Sequence, residues 1–159
     1  MAEAVYPGSF DPVTMGHLDI IRRSARIFDR VYVAVAVNLS KSPLFTTEQR
    51  MAHLRTATCG LKNVEVVTFD GLLVDAANKY GTKIIIKGLR AISDFEFEFQ
   101  MALMNKKLGE DVETLFMATC TNYSYLSSSL VKEVARLGGS IKDLVPPSVH
   151  DDILNQLRG

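Results

Sequence analysis

Tyr6-Pro7-Gly8-Ser9-Phe10-Asp11-Pro12-Val13-Thr14-Met15-Gly16-His17 follows a short apolar run and precedes an amphipathic segment, the position of a first strand-to-helix turn in an α/β domain. Pro7 and Pro12 fix the backbone, and Gly8 and Gly16 remove side-chain bulk, so main-chain N–H groups can approach a ligand closely. Phosphate is the natural ligand of such a turn. Thr14 can cap the following helix, which puts Gly16 and His17 in its first turn, where unpaired N–H donors and the positive dipole end favour an anion. His17 then faces whatever those donors hold. An isolated histidine beside a turn would ordinarily be solvated or cap the helix.

Working outward, Leu18, Ile21, Ala25 and Phe28 recur at spacings of three and four, a helical stripe, with Arg22, Arg23 and Arg26 mostly on its solvent side. Val31-Tyr32-Val33-Ala34-Val35-Ala36-Val37 has almost no polar alternation, as expected of a strand covered on both faces. Ala4–Tyr6, Asn63–Phe69, Lys83–Lys87 and Glu113–Ala118 complete five strands. Thr46 and Gln49 have capping-box spacing ahead of Met51, Leu54 and Ala57, and His53 is expected at the surface. Gly71 separates the third strand from a helix beginning at Leu72 and ending near Gly81.

The stretch Phe95-Glu96-Phe97-Glu98-Phe99 alternates with period two, yet Ser93 and Glu96 form a capping box and residues 101 to 104 are good helix formers, so a helix is expected. On it Phe95, Phe99, Ala102 and Leu103 share one face, while Phe97 points elsewhere and needs cover, which suggests a subunit interface. Three serines open a further helix that Gly138-Gly139 stops, and Pro146-Pro147 starts the last, structural one. Five strands alternating with helices predict one Rossmann-like domain over residues 1–159. Its architecture is α/β: a doubly wound parallel five-stranded sheet with helices on both faces.

Composition narrows the function. Lys+Arg 18 balance Asp+Glu 18, so no long-range attraction to nucleic acid or an anionic membrane is expected, and any anion site must be local. The apolar runs are strand-sized and the N-terminus lacks signal-peptide character, from which a cytoplasmic location is expected. Cys59 and Cys120 form no C-x-x-C pair and His17, His53 and His150 have no ligand-like spacing, which argues against a disulfide or a structural zinc. Absence of G-x-G-x-x-G disfavours a dinucleotide oxidoreductase.

The loops after the strands carry the remaining candidates, since open α/β sheets bind ligands at the carboxyl ends of their strands. Lys41 lies in the loop after the second strand, and Leu73, near a helix start, is a candidate for the wall of a substrate site. Lys87-Gly88-Leu89-Arg90 brings two cations and a glycine to the end of the fourth strand. After the fifth comes Tyr123-Ser124-Tyr125-Leu126-Ser127-Ser128-Ser129, where three hydroxyls, free N–H groups and Lys132 one turn on make a second anion cradle.

Thr14-Met15-Gly16-His17 resembles the T/H-x-G-H signature of the nucleotidylyltransferase superfamily, and Leu126-Ser127-Ser128-Ser129-Leu130-Val131-Lys132 resembles its I-S-S-T/S-x-x-R/K signature. With Tyr6 to Pro12, Lys87 to Arg90 and Ser-Ser-Ser-Leu-Val-Lys-Glu-Val-Ala-Arg, the chain resembles the bacterial phosphopantetheine adenylyltransferase family from Tyr6 through Pro146. The resemblance implies attack of the phosphate of 4′-phosphopantetheine on the α-phosphorus of ATP, giving dephospho-coenzyme A and pyrophosphate without a covalent enzyme intermediate. It further implies Mg2+ held mainly by ATP oxygens and water, a homohexamer, and coenzyme A as a candidate feedback inhibitor.

By the same resemblance His17 donates to the α-phosphate and Lys41 orients the attacking phosphate, while Ser9, Leu73 and Lys87 help hold the pantetheine substrate. ATP is expected on Ser9, Phe10, His17, Gly88, Leu89, Arg90, Glu98 and Tyr123, Ser124, Tyr125, Leu126, Ser127, Ser128 and Ser129. Lys87 stands where the family pattern allows any basic residue and lacks the bidentate fork of arginine. Two other readings remain at this level: a nucleotidylyltransferase acting on nicotinamide mononucleotide or glycerol phosphate, and a non-catalytic adenine-nucleotide sensor with no need of His17 or Lys41.

Overall fold

The computed structural model describes residues 1–37, 39, 42–93 and 95–158. Five strands, β1 (Glu3–Gly8), β2 (Arg30–Ala36), β3 (Val64–Phe69), β4 (Ile84–Leu89) and β5 (Glu113–Ala118), form one parallel sheet in the order β3-β2-β1-β4-β5. The register pairs Val5 with Tyr32 on one side of β1 and with Ile85 on the other. Helices α1 (Met15–Ile27), α2 (Thr47–Ala57), α3 (Leu73–Lys79), α4 (Phe95–Leu108), α5 (Ser128–Arg136) and α6 (Pro147–Arg158) alternate with or follow the strands.

Because successive strand residues point to opposite faces, the apolar runs divide between two cores. Ala4 and Tyr6, Val31, Val33 and Val35, and Ile86 face one side. There they meet Ile20 and Ile21 of α1, Leu54 of α2, Val131 of α5 and Val149 and Ile153 of α6. Val5, Ala34 and Ile85 face the other, thinner side with Val74 and Ala77 of α3 and Val112. The uninterrupted apolar strands are thus covered on both faces, as the sequence predicts.

Local signals set the helix starts. Thr46 accepts from the Gln49 N–H and Gln49 returns the bond, so the capping box of α2 is reciprocal. Ser127 caps α5 by accepting from the Leu130 N–H at 3.0 Å. Gly138, in the left-handed region at φ 83, follows the end of α5, a conformation that costs a residue with a Cβ about 1–2 kcal/mol.

Three expectations need correction. His53 is buried, not at the surface: its ring packs edge-on against Phe45 and its Nε2 lies 2.9 Å from Asp152 of α6. The Ser93 hydroxyl accepts the Arg90 N–H at 2.9 Å, turning back toward β4, and Asp94 falls outside the described residues. On α4 it is not Phe97 alone that lies outside the core. Phe95 (52%), Phe97 (55%), Phe99 (48%) and Leu103 (56%) are all about half exposed, and Asn105 is the helix's buried residue.

The two-sided core yields a direct test. Leu54 is fully buried against the larger core while Leu137 is exposed. Urea unfolding of Leu54→Ala is expected to show a loss of about 2–5 kcal/mol, and Leu137→Ala a change within about 0.5 kcal/mol. Similar losses for both would contradict this placement of the core.

Candidate active site

The chain runs outward from β1 to β2 and β3, then returns across the sheet to β4 and β5, so the crevice between β1 and β4 is the topological switch point. A cleft of about 350 Å³ opens there, at the carboxyl ends of the strands. Its walls are the turn after β1, the residues after β4 and the start of α5. Sequence positions more than a hundred residues apart therefore face one another.

Direct bonds hold these walls together. The Ser128 hydroxyl donates to the Pro12 carbonyl at 2.8 Å, joining the start of α5 to the first turn. Arg90 donates from Nη1 to the Leu126 carbonyl at 2.7 Å, joining the end of β4 to the same segment. Asp11 is buried; its carboxylate accepts the N–H groups of Leu44 (2.8 Å) and Phe45 (2.9 Å) and lies 3.8 Å from Lys132 Nζ. One carboxylate thus links the first turn, the segment ahead of α2, and α5.

The α1 cap decides what His17 can do. Thr14 accepts the His17 N–H, and the Thr14 N–H donates to His17 Nδ1 at 3.0 Å, a capping box with histidine in the place usually held by glutamate or glutamine. Nδ1 is then an acceptor, so the neutral ring carries its proton on Nε2. Among the described residues no acceptor is paired with that Nε2. Burial, and after it the positive charge of Arg90, push the His17 pKa down to about 4, so the ring is a neutral donor at physiological pH.

Phe10 packs edge-on against His17 at 5.0 Å and against Tyr6 at 5.5 Å. Its ring lies so close beneath Gly8 that an added Cβ there would sit 3.1 Å from it, which explains the glycine. Of the positions expected at the site, Ser9, Phe10, His17, Lys87, Gly88, Arg90, Glu98, Leu126, Ser127, Ser128 and Ser129 border the cleft. Lys87 Nζ stands 3.9 Å from Glu98 Oε2, so these two groups, expected on different substrates, share one edge of it.

Other expected residues lie elsewhere. Leu73 packs against the thinner core and is not among the residues bordering the cleft. Leu89 has its carbonyl bonded by the Thr119 N–H and hydroxyl, Tyr123 packs on the larger core beside Gly16, Ser124 donates to the Thr121 carbonyl, and Tyr125 is half exposed. Lys41 lies outside the described residues.

Sequence reasoning gave no role at the site to Tyr6, Asp11, Arg50, Ser93 or Thr119. Tyr6, Ser93 and Thr119 border the cleft, and burial pushes the Tyr6 phenol well up, so its hydroxyl keeps its proton. For Asp11 a signal existed, an acid inside a turn suited to anions. Arg50 is 1% exposed and had none, since an arginine on a polar helix face reads as solvated.

Long-range 15N spectra are expected to show the His17 Nε2–H tautomer at neutral pH, with a titration midpoint near 4 in the free protein. An unfolded histidine titrates near 6.5, so on acidification the unfolded chain takes up this proton first. The neutral ring's contribution to stability is therefore complete above about pH 6.5 and is lost progressively toward pH 4. A midpoint at or above 6.5 would contradict this environment.

The family model described as cytidylyltransferase-like matches residues 5–134. A phosphopantetheine adenylyltransferase of Clostridium tetani is 59% identical to this chain, covering 94% of each chain. Another, of Clostridium botulinum (strain Alaska E43 / Type E3), is 54% identical and covers 98% of each. Among solved structures, a protein of Vibrio parahaemolyticus described as a nicotinate-nucleotide adenylyltransferase superposes with a TM-score of 0.69 at 18% identity, over 98% of this chain and 100% of its own, a likeness of fold. With the fold, both signature turns and near-full-length similarity in agreement, the chain belongs to the phosphopantetheine adenylyltransferase family.

Proposed function

We propose that this chain transfers the adenylyl group of ATP to 4′-phosphopantetheine. A phosphate oxygen of 4′-phosphopantetheine forms a bond to the α-phosphorus, the bond from that phosphorus to the bridging oxygen of the β-phosphate breaks, and pyrophosphate leaves with dephospho-coenzyme A as the product. The observation that carries this reading is the meeting of the His17 side chain and the serine-lined start of α5 in one cleft. A displacement between two polyanions needs alignment and charge stabilisation rather than a protein nucleophile.

In this mechanism the neutral His17 donates from Nε2 to the α-phosphoryl oxygens as charge builds on them. The Ser127, Ser128 and Ser129 segment, the first N–H groups of α5 and Arg90 hold the triphosphate, with Glu98 at the nucleotide's edge of the cleft. Ser9, Lys41, Leu73 and Lys87 serve the pantetheine substrate; of these, Ser9 and Lys87 border the cleft. Among the described residues no group of three or more His, Cys, Asp or Glu could hold a metal, and the Asp11 carboxylate is committed to Lys132 and two N–H groups. Mg2+ would arrive on ATP, held by nucleotide oxygens and water, and would contribute charge neutralisation.

Coenzyme A, which shares the product's chemistry, is a candidate feedback inhibitor of the same cleft. No helix among the described residues is long and apolar enough to cross a membrane; a cytoplasmic location belongs to this proposal. The apolar side chains of α4, Phe95, Phe99 and Leu103 on one face and Phe97 on another, are all about half exposed, which suits a homo-oligomer such as a hexamer.

Purified protein mixed with ATP, Mg2+ and 4′-phosphopantetheine should yield dephospho-coenzyme A, identified by mass, with stoichiometric pyrophosphate. Turnover of nicotinamide mononucleotide or glycerol phosphate instead would redirect the substrate assignment, and no turnover at all would favour a nucleotide sensor. His17→Ala should lower kcat by about 10²–10³-fold while ATP affinity changes little, because the donor acts on charge present at the top of the barrier. Equal losses in both would remove that role. In sedimentation at micromolar concentration an oligomer is expected, and a monomer would dismiss α4 as an interface.

A further inference from the structure

Arg50, on α2, is 1% exposed, among the largest fully buried side chains of the protein. Its Nη1 donates to the carbonyls of Ser9 (2.8 Å) and Ala36 (2.9 Å), the positions where the chain leaves β1 and β2, and its Nη2 donates to the Thr47 hydroxyl at 3.1 Å. The Ser9 carbonyl therefore points down into the protein beneath the turn. A trans peptide is planar, with its C=O and N–H directed oppositely, so fixing one end of the Ser9–Phe10 unit fixes the other.

Phe10, which completes that unit, sits at φ 50, a left-handed conformation that costs a residue with a Cβ about 1–2 kcal/mol. Strained conformations of this kind persist where the surroundings over-determine them. Here the restraints are the Arg50 bond on one side and, on the other, the packing of the Phe10 ring against Tyr6 and His17. Among the described residues no acceptor is paired with the Phe10 N–H, although both Ser9 and Phe10 border the cleft.

We propose that Arg50 is a positioning residue for the reaction: by holding the Ser9 carbonyl inward it turns the Phe10 N–H into the cleft as a fixed donor to a phosphate oxygen. Arg50 touches neither substrate and acts through the peptide it orients. Its second bond, to Ala36, locks the end of β2 to the same guanidinium, so the ends of β1 and β2 keep a fixed spacing beneath the turn. A lysine at this position would keep a charge and a donor but would end one bond short of the two carbonyls.

This inference rests on the adenylyl-transfer reading, yet it is read out separately from it. In the wild-type protein, hydrogen exchange of the Phe10 amide should slow at least tenfold when pyrophosphate is added, whatever the second substrate is. Arg50→Lys, checked for folding by its amide spectrum, should lose at least threefold of that protection and at least tenfold of kcat/KM, while amides at the start of α5 still respond to pyrophosphate. A merely structural Arg50 would lower Tm and leave both quantities intact in the folded variant. Unchanged Phe10 exchange in the wild type overturns the proposal even if Arg50→Lys fails to fold, as does a folded Arg50→Lys with wild-type protection and kcat/KM. Failure of the adenylyl-transfer reading would appear instead as absent product in the wild-type turnover assay.

Discussion

The bond from Ser128 to the Pro12 carbonyl joins the turn after β1 to the start of α5, more than a hundred residues further on, and the bond from Arg90 to the Leu126 carbonyl ties the end of β4 to the same segment. Without them the turn after β1 and the start of α5 would be two ordinary helix beginnings at the top of a sheet. A helix N-terminus alone contributes typically 0.3–1 kcal/mol toward an anion, too little to align two polyanions against their repulsion. Two such termini, a guanidinium and an imidazole donor converging in a cleft of about 350 Å³ reinforce one another where water is partly excluded.

The electrical design is local. The chain as a whole is neutral, with Lys+Arg 18 against Asp+Glu 18, so phosphate attraction has to come from how a few groups are placed. His17 shows why placement outweighs net charge. The Thr14 N–H occupies Nδ1, and burial with nearby Arg90 keeps the ring neutral, so it enters the cleft with a single, directed N–H. A bound polyanion would draw its pKa back upward, opposing the effect of Arg90. Either way Nε2 keeps a proton, and its role as a donor does not depend on which protonation state prevails.

Much of this was legible in the sequence because it is written in short-range signals. Unbroken β-branched runs announced buried parallel strands, Thr14, Thr46 and Ser127 announced helix starts, and glycine with serine at strand ends announced turns that the fold gathers around one cleft. Long-range commitments of polar side chains were not legible. His53 looked like a surface residue until α6 supplied Asp152, and Arg50 drew no reading until the ends of β1 and β2 supplied two carbonyls. The partners of both lie on other elements, and no local pattern encodes them. Leu73, a candidate for the wall of a substrate site, packs partly buried against the thinner core and does not border the cleft.

Helix α4 joins the cleft to the rest of the surface in a way that follows from its poor burial. Glu98, at the edge of the cleft and 3.9 Å from Lys87, is borne on a helix whose buried residue is Asn105, near its far end. The first turns lean on the sheet through Phe95, which stacks with Phe99 at 5.8 Å and approaches Phe116 of β5 at 6.1 Å. Aromatic pairs of this kind contribute about 0.5–1.5 kcal/mol each, modest for fixing a helix start whose phenylalanines remain half exposed. Any surface that covers those rings would add apolar burial at about 25 cal/mol per Å² and fix the same turn that carries Glu98. Cover over the phenylalanine face and the position of a carboxylate in the cleft are thus mechanically one problem, because a single helical turn carries both.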